Sequence, residues 1–129
     1  MLSTIHMGLA WIVLAAVVAQ FFFAGLGLFT TAGFGAHRLI GSLTVPVSLV
    51  LLLLALAGRL GRLRIGLSAA LFGLTLVQSL LIRGPGLVAA LHPVNAIAIL
   101  YVAQRLAVAG RRMAHWPAPD LSHASATVR

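Results

Sequence analysis

Pro46-Val-Ser-Leu-Val-Leu-Leu-Leu-Leu-Ala-Leu-Ala57, running into Gly58-Arg-Leu-Gly-Arg-Leu-Arg64, is the stretch whose reading decides the fold. It is a charge-free apolar run stopped by Arg59, Arg62 and Arg64. Arginine inside hydrocarbon costs several kcal/mol, so a run that ends on arginines ends at a membrane surface. Followed back to Ala36, the run approaches the roughly 20 residues that a helix needs to cross a ~30 Å apolar layer.

The same pattern extends in both directions. Downstream, run three goes from Ile65 to about Ile82, and Arg83-Gly-Pro-Gly86 forms a turn. Run four goes from about Val88 to Ala109 and ends at Arg111 and Arg112. Upstream, a Gly/Thr-rich loop over 30–35 separates run two from run one, Met7 to Phe29. Run one has no basic n-region and exceeds the roughly 7–15 residues of a signal-peptide core, so it reads as an anchor. Strands are not expected, because an open sheet cannot satisfy its backbone in lipid. The expected fold is all-α: a transmembrane antiparallel four-helix bundle over 1–112, made of two tandem helical hairpins. The expected tail, 113–129, is too polar to build a core and reads as disordered and cytoplasmic.

Composition narrows the chemistry. Of 129 residues 61% are hydrophobic, and the ten charges are nine arginines and one acid, Asp120. A net charge of +8 would suit a nucleic-acid partner, but the arginines sit at the ends of apolar runs, so no nucleic acid is expected. The partners expected are the lipid bilayer and other membrane or redox proteins, with the oligomeric state left open. One acid excludes an intramembrane carboxylate relay or cage. The absence of cysteine excludes disulfides, thiolate metal sites and covalent heme attachment. Without a carboxylate or a nucleophile–base pair, nothing marks the chain as an enzyme by itself.

Orientation follows from where the arginines lie. Arg59, Arg62, Arg64, Arg105, Arg111 and Arg112 share one side, and only Arg38 and Arg83 lie on the other. The richer side is expected to be cytoplasmic, which places both termini inside a bacterial inner membrane. Pro46 should kink run two, with Ser42, Thr44 and Ser48 close enough to help satisfy the freed backbone.

Runs one and two resemble runs three and four. Gln20 and Gln78 each sit near the end of an outgoing helix. Ala36-His37-Arg-Leu-Ile-Gly41 matches Leu91-His92-Pro-Val-Asn-Ala96, a histidine followed four residues later by a small residue. Such a repeat implies a pseudo-twofold axis along the membrane normal.

That repeat puts His37 and His92 at one depth, in the first turns of helices that lie diagonally across a four-helix bundle. If both point inward they meet. Two neutral imidazoles on opposite faces of a plane are the axial ligands of a b-type heme. Gly41 and Ala96, one turn deeper, leave room for a flat macrocycle. Arg38 and Arg83 could take its propionates. Gln78 or Asn95 could orient an imidazole. Gln20 reads equally as interhelical glue. His6 lies at the other end of run one, and His115 and His123 lie in the tail, so these three are set aside as ligands.

From residue 10 to about 110, through Ala19-Gln-Phe-Phe-Phe-Ala-Gly25, Phe34-Gly-Ala-His37 and Leu91-His-Pro-Val-Asn95, the chain resembles an uncharacterised family of small bacterial four-helix membrane proteins. Leu76-Val-Gln-Ser-Leu-Leu81 and Leu87-Val-Ala-Ala-Leu-His92 are similar to one half of heme A synthase, built from two four-helix bundles. That resemblance implies heme ligation by histidines opening the second and fourth helices, here His37 and His92. The chain is half as long and lacks that family's membrane-side glutamate, so the resemblance implies heme binding and not heme hydroxylation. The leading expectation is a bis-histidine heme b protein for electron transfer or heme handling. The alternatives are a cofactor-free accessory or scaffold subunit of a membrane complex, and a quinone or small-molecule carrier.

Overall fold

The computed structural model describes residues 1–114, with side chains through Gly110. It has four helices: α1 (Leu2–Phe29), α2 (Gly35–Ala57), α3 (Arg62–Leu81) and α4 (Gly86–Ala114). All four are long and apolar enough to cross a bilayer. The chain is thus a multi-pass membrane protein, an all-α four-helix bundle with no strand among the described residues. Each of α1 and α3 packs against both α2 and α4, while the diagonal pairs α1/α3 and α2/α4 make no backbone approach. One end carries the start of α1, the 58–61 loop and the last turns of α4. The other carries the hairpin loops 30–34 and 82–85. The first is the termini end and the second the loop end.

The helices extend past the hydropathy runs, with α3 opening at Arg62 and α4 at Gly86, and the start of α1 shows why. α1 starts at Leu2, five residues before the apolar run. Hydropathy stops at the polar Ser3, Thr4 and His6. The helix continues because Ser3 and His6 find polar partners on α3. At the other terminus α4 reaches Ala114. Most of the expected tail, including His115 and His123, lies outside the described residues, as do the side chains of Arg111 and Arg112.

The core is a narrow seam. His6, Ala10, Val13 and Val17 of α1 face it with Arg64, Ser68, Leu71 and Thr75 of α3. Ser48, Leu51 and Ala55 of α2 face it with Ala103, Leu106 and Gly110 of α4. The steps of three and four residues are those of helices meeting at about +20°. The buried sets of the two hairpins also coincide: an offset of 58 takes His6 to Arg64 and Val17 to Thr75, and an offset of 55 takes Ser48 to Ala103 and Leu51 to Leu106. A twofold along the bundle axis produces that pattern. The second offset is smaller because the second hairpin loop is shorter.

The outer faces carry Ile12, Phe22, Leu53, Ile97 and Tyr101, each more than half exposed. Side chains of this kind fit acyl chains. Lipid removes the hydrophobic drive between helices, so small residues and hydrogen bonds hold the seam. Ser48 Oγ lies 2.8 Å from Thr75 Oγ1 at mid-depth, buried between α2 and α3.

One local expectation is corrected. The hydroxyls around Pro46 do not bond the carbonyl of Ser42, which the proline frees. Ser42 donates to the Leu39 carbonyl, Thr44 to Gly41 and Ser48 to Val45. Each hydroxyl reaches back three residues along its own turn, the shortest path open to it in a helix.

Candidate functional site

At the loop end the seam widens into a cavity of about 450 Å³. That volume lies within the range of small-molecule sites, about 300–1,000 Å³. Repeat-related pairs line it: Gln20 and Gln78, His37 and His92, Gly41 and Ala96, Val17 and Thr75. Arg38 and Arg83 stand at its rim, both exposed. Of the residues expected at the heme site, only Asn95 does not line the cavity. Its amide donates to Gln78 Oε1 at 2.7 Å and to the Leu74 carbonyl at 2.9 Å. Asn95 and Gln78 therefore bond each other, and neither bonds an imidazole.

The two histidines meet across the cavity. Their ring centroids are 6.2 Å apart and their planes are inclined by 59°. His37 is in the first turn of α2 and His92 in the second turn of α4, because α4 begins at Gly86, before the apolar run. His37 Nδ1 lies 3.1 Å from the backbone carbonyl of Gln20. A carbonyl only accepts, so His37 Nδ1 carries the hydrogen and Nε2 keeps its lone pair. This is how a metal-binding imidazole is usually oriented, through its second nitrogen. The Phe34 ring stands edge-on to His37 at 6.2 Å and rests on Gly27, where a Cβ would come within 2.7 Å of it. Gly27 thereby sets Phe34, and Phe34 walls one side of His37.

His92 Nδ1 is buried and has no hydrogen-bond partner among the described residues. Gln20 Oε1 is in the same condition. A buried polar atom without a partner costs about 1–3 kcal/mol, so both mark places for a ligand or water.

Gly41 differs from the sequence reading. The space beside its Cα is taken by the Gln20 amide, whose Nε2 would lie 2.6 Å from a Cβ at position 41. Gln20 is thus part of the cavity through its side chain and part of the histidine support through its carbonyl. Its equivalence to Gln78 was the available signal.

A second polar group lies at the termini end. Arg64 is 4% exposed and His6 fully buried. Arg64 Nη1 donates to Ser3 Oγ at 2.8 Å, and His6 Nε2 lies 3.1 Å from Ser68 Oγ. These are successive rungs across the α1/α3 diagonal. Sequence reasoning missed this group because Arg64 looked like an end marker. The signal was phase: His6 precedes Ala10 by one turn, and Arg64 precedes Ser68 by one turn.

No curated protein and no solved structure matches the chain. The likeness to a heme A synthase half-bundle therefore gains no support from known proteins. Residues 20–85, which contain Gln20, His37, Gly41 and Gln78 but not His92, match the family of unknown function DUF6220. That span is just over half of the chain, and the chain belongs to this family.

Proposed function

We propose that the loop-end cavity binds a b-type heme with His37 and His92 as axial ligands. The observation that carries this reading is the 6.2 Å between their ring centroids. Two imidazole nitrogens, each about 2 Å from an iron between them, put the centroids roughly 6.3 Å apart. The His37 tautomer supports it, since Nε2 is left free to bind metal. A heme iron asks only two ligands of its protein, and His37 and His92 are two histidines lining one cavity. Arg38 and Arg83 stand where propionates would reach the aqueous edge. Seating a macrocycle beside Gly41 requires the Gln20 amide, the free end of a flexible side chain, to swing aside. Bound there, heme would supply one-electron redox chemistry or be carried as cargo. Protein purified in detergent after expression with ample heme should show oxidised and reduced heme spectra that both His37→Ala and His92→Ala abolish. A colourless wild type, or an unchanged spectrum in both variants, would refute the reading.

A second reading rests on Gln20 Oε1 and His92 Nδ1, two buried polar atoms without partners in one cavity. They suit a quinol-like molecule with hydroxyls to donate. It calls for cavity binding without any visible metal spectrum, and for loss of binding in Gln20→Leu. On arginine placement we assign both termini to the cytoplasm of a bacterial inner membrane. Labelling of single cysteines placed at Ser3 and Gly33 tests this, with only the Gly33 site reacting from outside.

A further inference from the structure

We propose a second site, at the termini end, in which Arg64 binds the phosphoryl oxygens of a phosphate-bearing ligand, a phospholipid headgroup or free phosphate. Arg64 is 4% exposed, yet among the described residues its Nε and Nη2 have no hydrogen-bond partner. Only Nη1 is used, on Ser3. Nε–H and one Nη2–H point in parallel from the same edge of a guanidinium, and this edge receives two oxygens of one oxyanion. The edge left over is therefore the one built for such a group. A buried cation without a counter-charge is strongly unfavourable, so the position calls for an anion. The chain offers almost none, since its single acidic residue is Asp120, outside the described residues.

The surroundings favour negative charge too. His6, also fully buried and on the next rung of the same diagonal, has an Nδ1 without a partner among the described residues. The first turns of α1 and α3 both lie at this end, and neither contains an acid. Their free N–H groups and dipoles attract anions. The guanidinium packs against Gly110 of α4 and Met7 of α1: a Cβ at position 110 would stand 3.3 Å from Nη2 and 2.9 Å from Met7 Cγ, so a ligand reaches this edge by displacing the flexible Met7 side chain. The depth selects the ligand class. Ser3 and Arg64 occupy the first turns of two candidate spans, the level at which a bilayer presents its phosphates.

The test is thermal unfolding of the full chain in a neutral detergent at matched ionic strength. The ligands are inorganic phosphate, a short-chain phosphatidylglycerol, chloride, and a short-chain diacylglycerol that lacks phosphate. We expect a rise of several degrees with a phosphate-bearing ligand and none with chloride or diacylglycerol. A response to the lipid alone assigns the headgroup, and a response to inorganic phosphate assigns the free ion. Arg64→Lys, which keeps the charge but loses the fork, should at least halve the rise. Gly110→Ala, which removes no donor but crowds Arg64 Nη2 and the Met7 side chain, should also reduce it and serves if Arg64→Lys does not fold. Equal responses to all four ligands, or a full response in both variants, would overturn the proposal. So would an Asp120→Asn variant whose unfolding temperature drops and is then restored by phosphate, since the chain's own carboxylate would be the natural occupant.

Discussion

The two ends of this bundle use the same seam in opposite ways. At the termini end, the α1/α3 diagonal is closed by polar rungs, Ser3 to Arg64 and His6 to Ser68. At the loop end, the α2/α4 diagonal stays open, and His37 and His92 face each other across a cavity of about 450 Å³. The repeat makes the positions equivalent within each diagonal, but the residues differ in size. Small Gly41 and Ala96 lie one turn below the histidines, whereas Arg64 and His6 fill the other end. In a membrane, where apolar burial drives little association, the choice between a sealed and an open seam falls to a few polar side chains and glycines.

The contrast can be broken most sharply at the loop end. His37→Ala or His92→Ala should reduce heme affinity at least 100-fold and barely alter thermal stability, as titration and unfolding curves would show. An equal loss of stability would mean that the imidazoles serve mainly as packing. His6→Ala should behave in the opposite way. It empties a fully buried site and orphans Ser68, costing about 2–4 kcal/mol by detergent–denaturant unfolding, with heme affinity unchanged. Gly41→Ala sharpens the comparison further. Its Cβ displaces the Gln20 amide, so affinity should change up to about tenfold while stability moves by less than about 1 kcal/mol. The smallest effect is expected at mid-depth. A double-mutant cycle of Ser48→Ala and Thr75→Val should give a coupling of about 0.6 kcal/mol, the usual size for a hydrogen bond between membrane helices.

Much of the architecture could be read from the residues. Arg59, just past α2, Arg62, which opens α3, and the turn before Gly86 mark helix ends because charge and backbone geometry act locally. The depth of His37 and His92 followed from the repeat, Gln20 with Gln78 and Gly41 with Ala96. The start of α1 did not follow, because hydropathy scores Ser3 and His6 as polar without knowing that Arg64 and Ser68 lie opposite. The partner of His37 was also hidden. It is a backbone carbonyl, that of Gln20, and any residue at that position could supply one. Asn95 looked suited to hold an imidazole, yet it bonds Gln78 and Leu74 of the adjacent α3. Pairings across a bundle depend on rotation about each helix, and composition does not encode that.

The central claim is that His37 and His92 act together on one iron. The most direct measurement is electron paramagnetic resonance of the protein titrated with ferric heme, beside the two single-alanine variants. The account requires a saturable one-to-one complex whose signal is low-spin, from two axial imidazoles, turning high-spin or vanishing in either variant. A high-spin signal in the wild type, or a low-spin signal that persists in both variants, would contradict it.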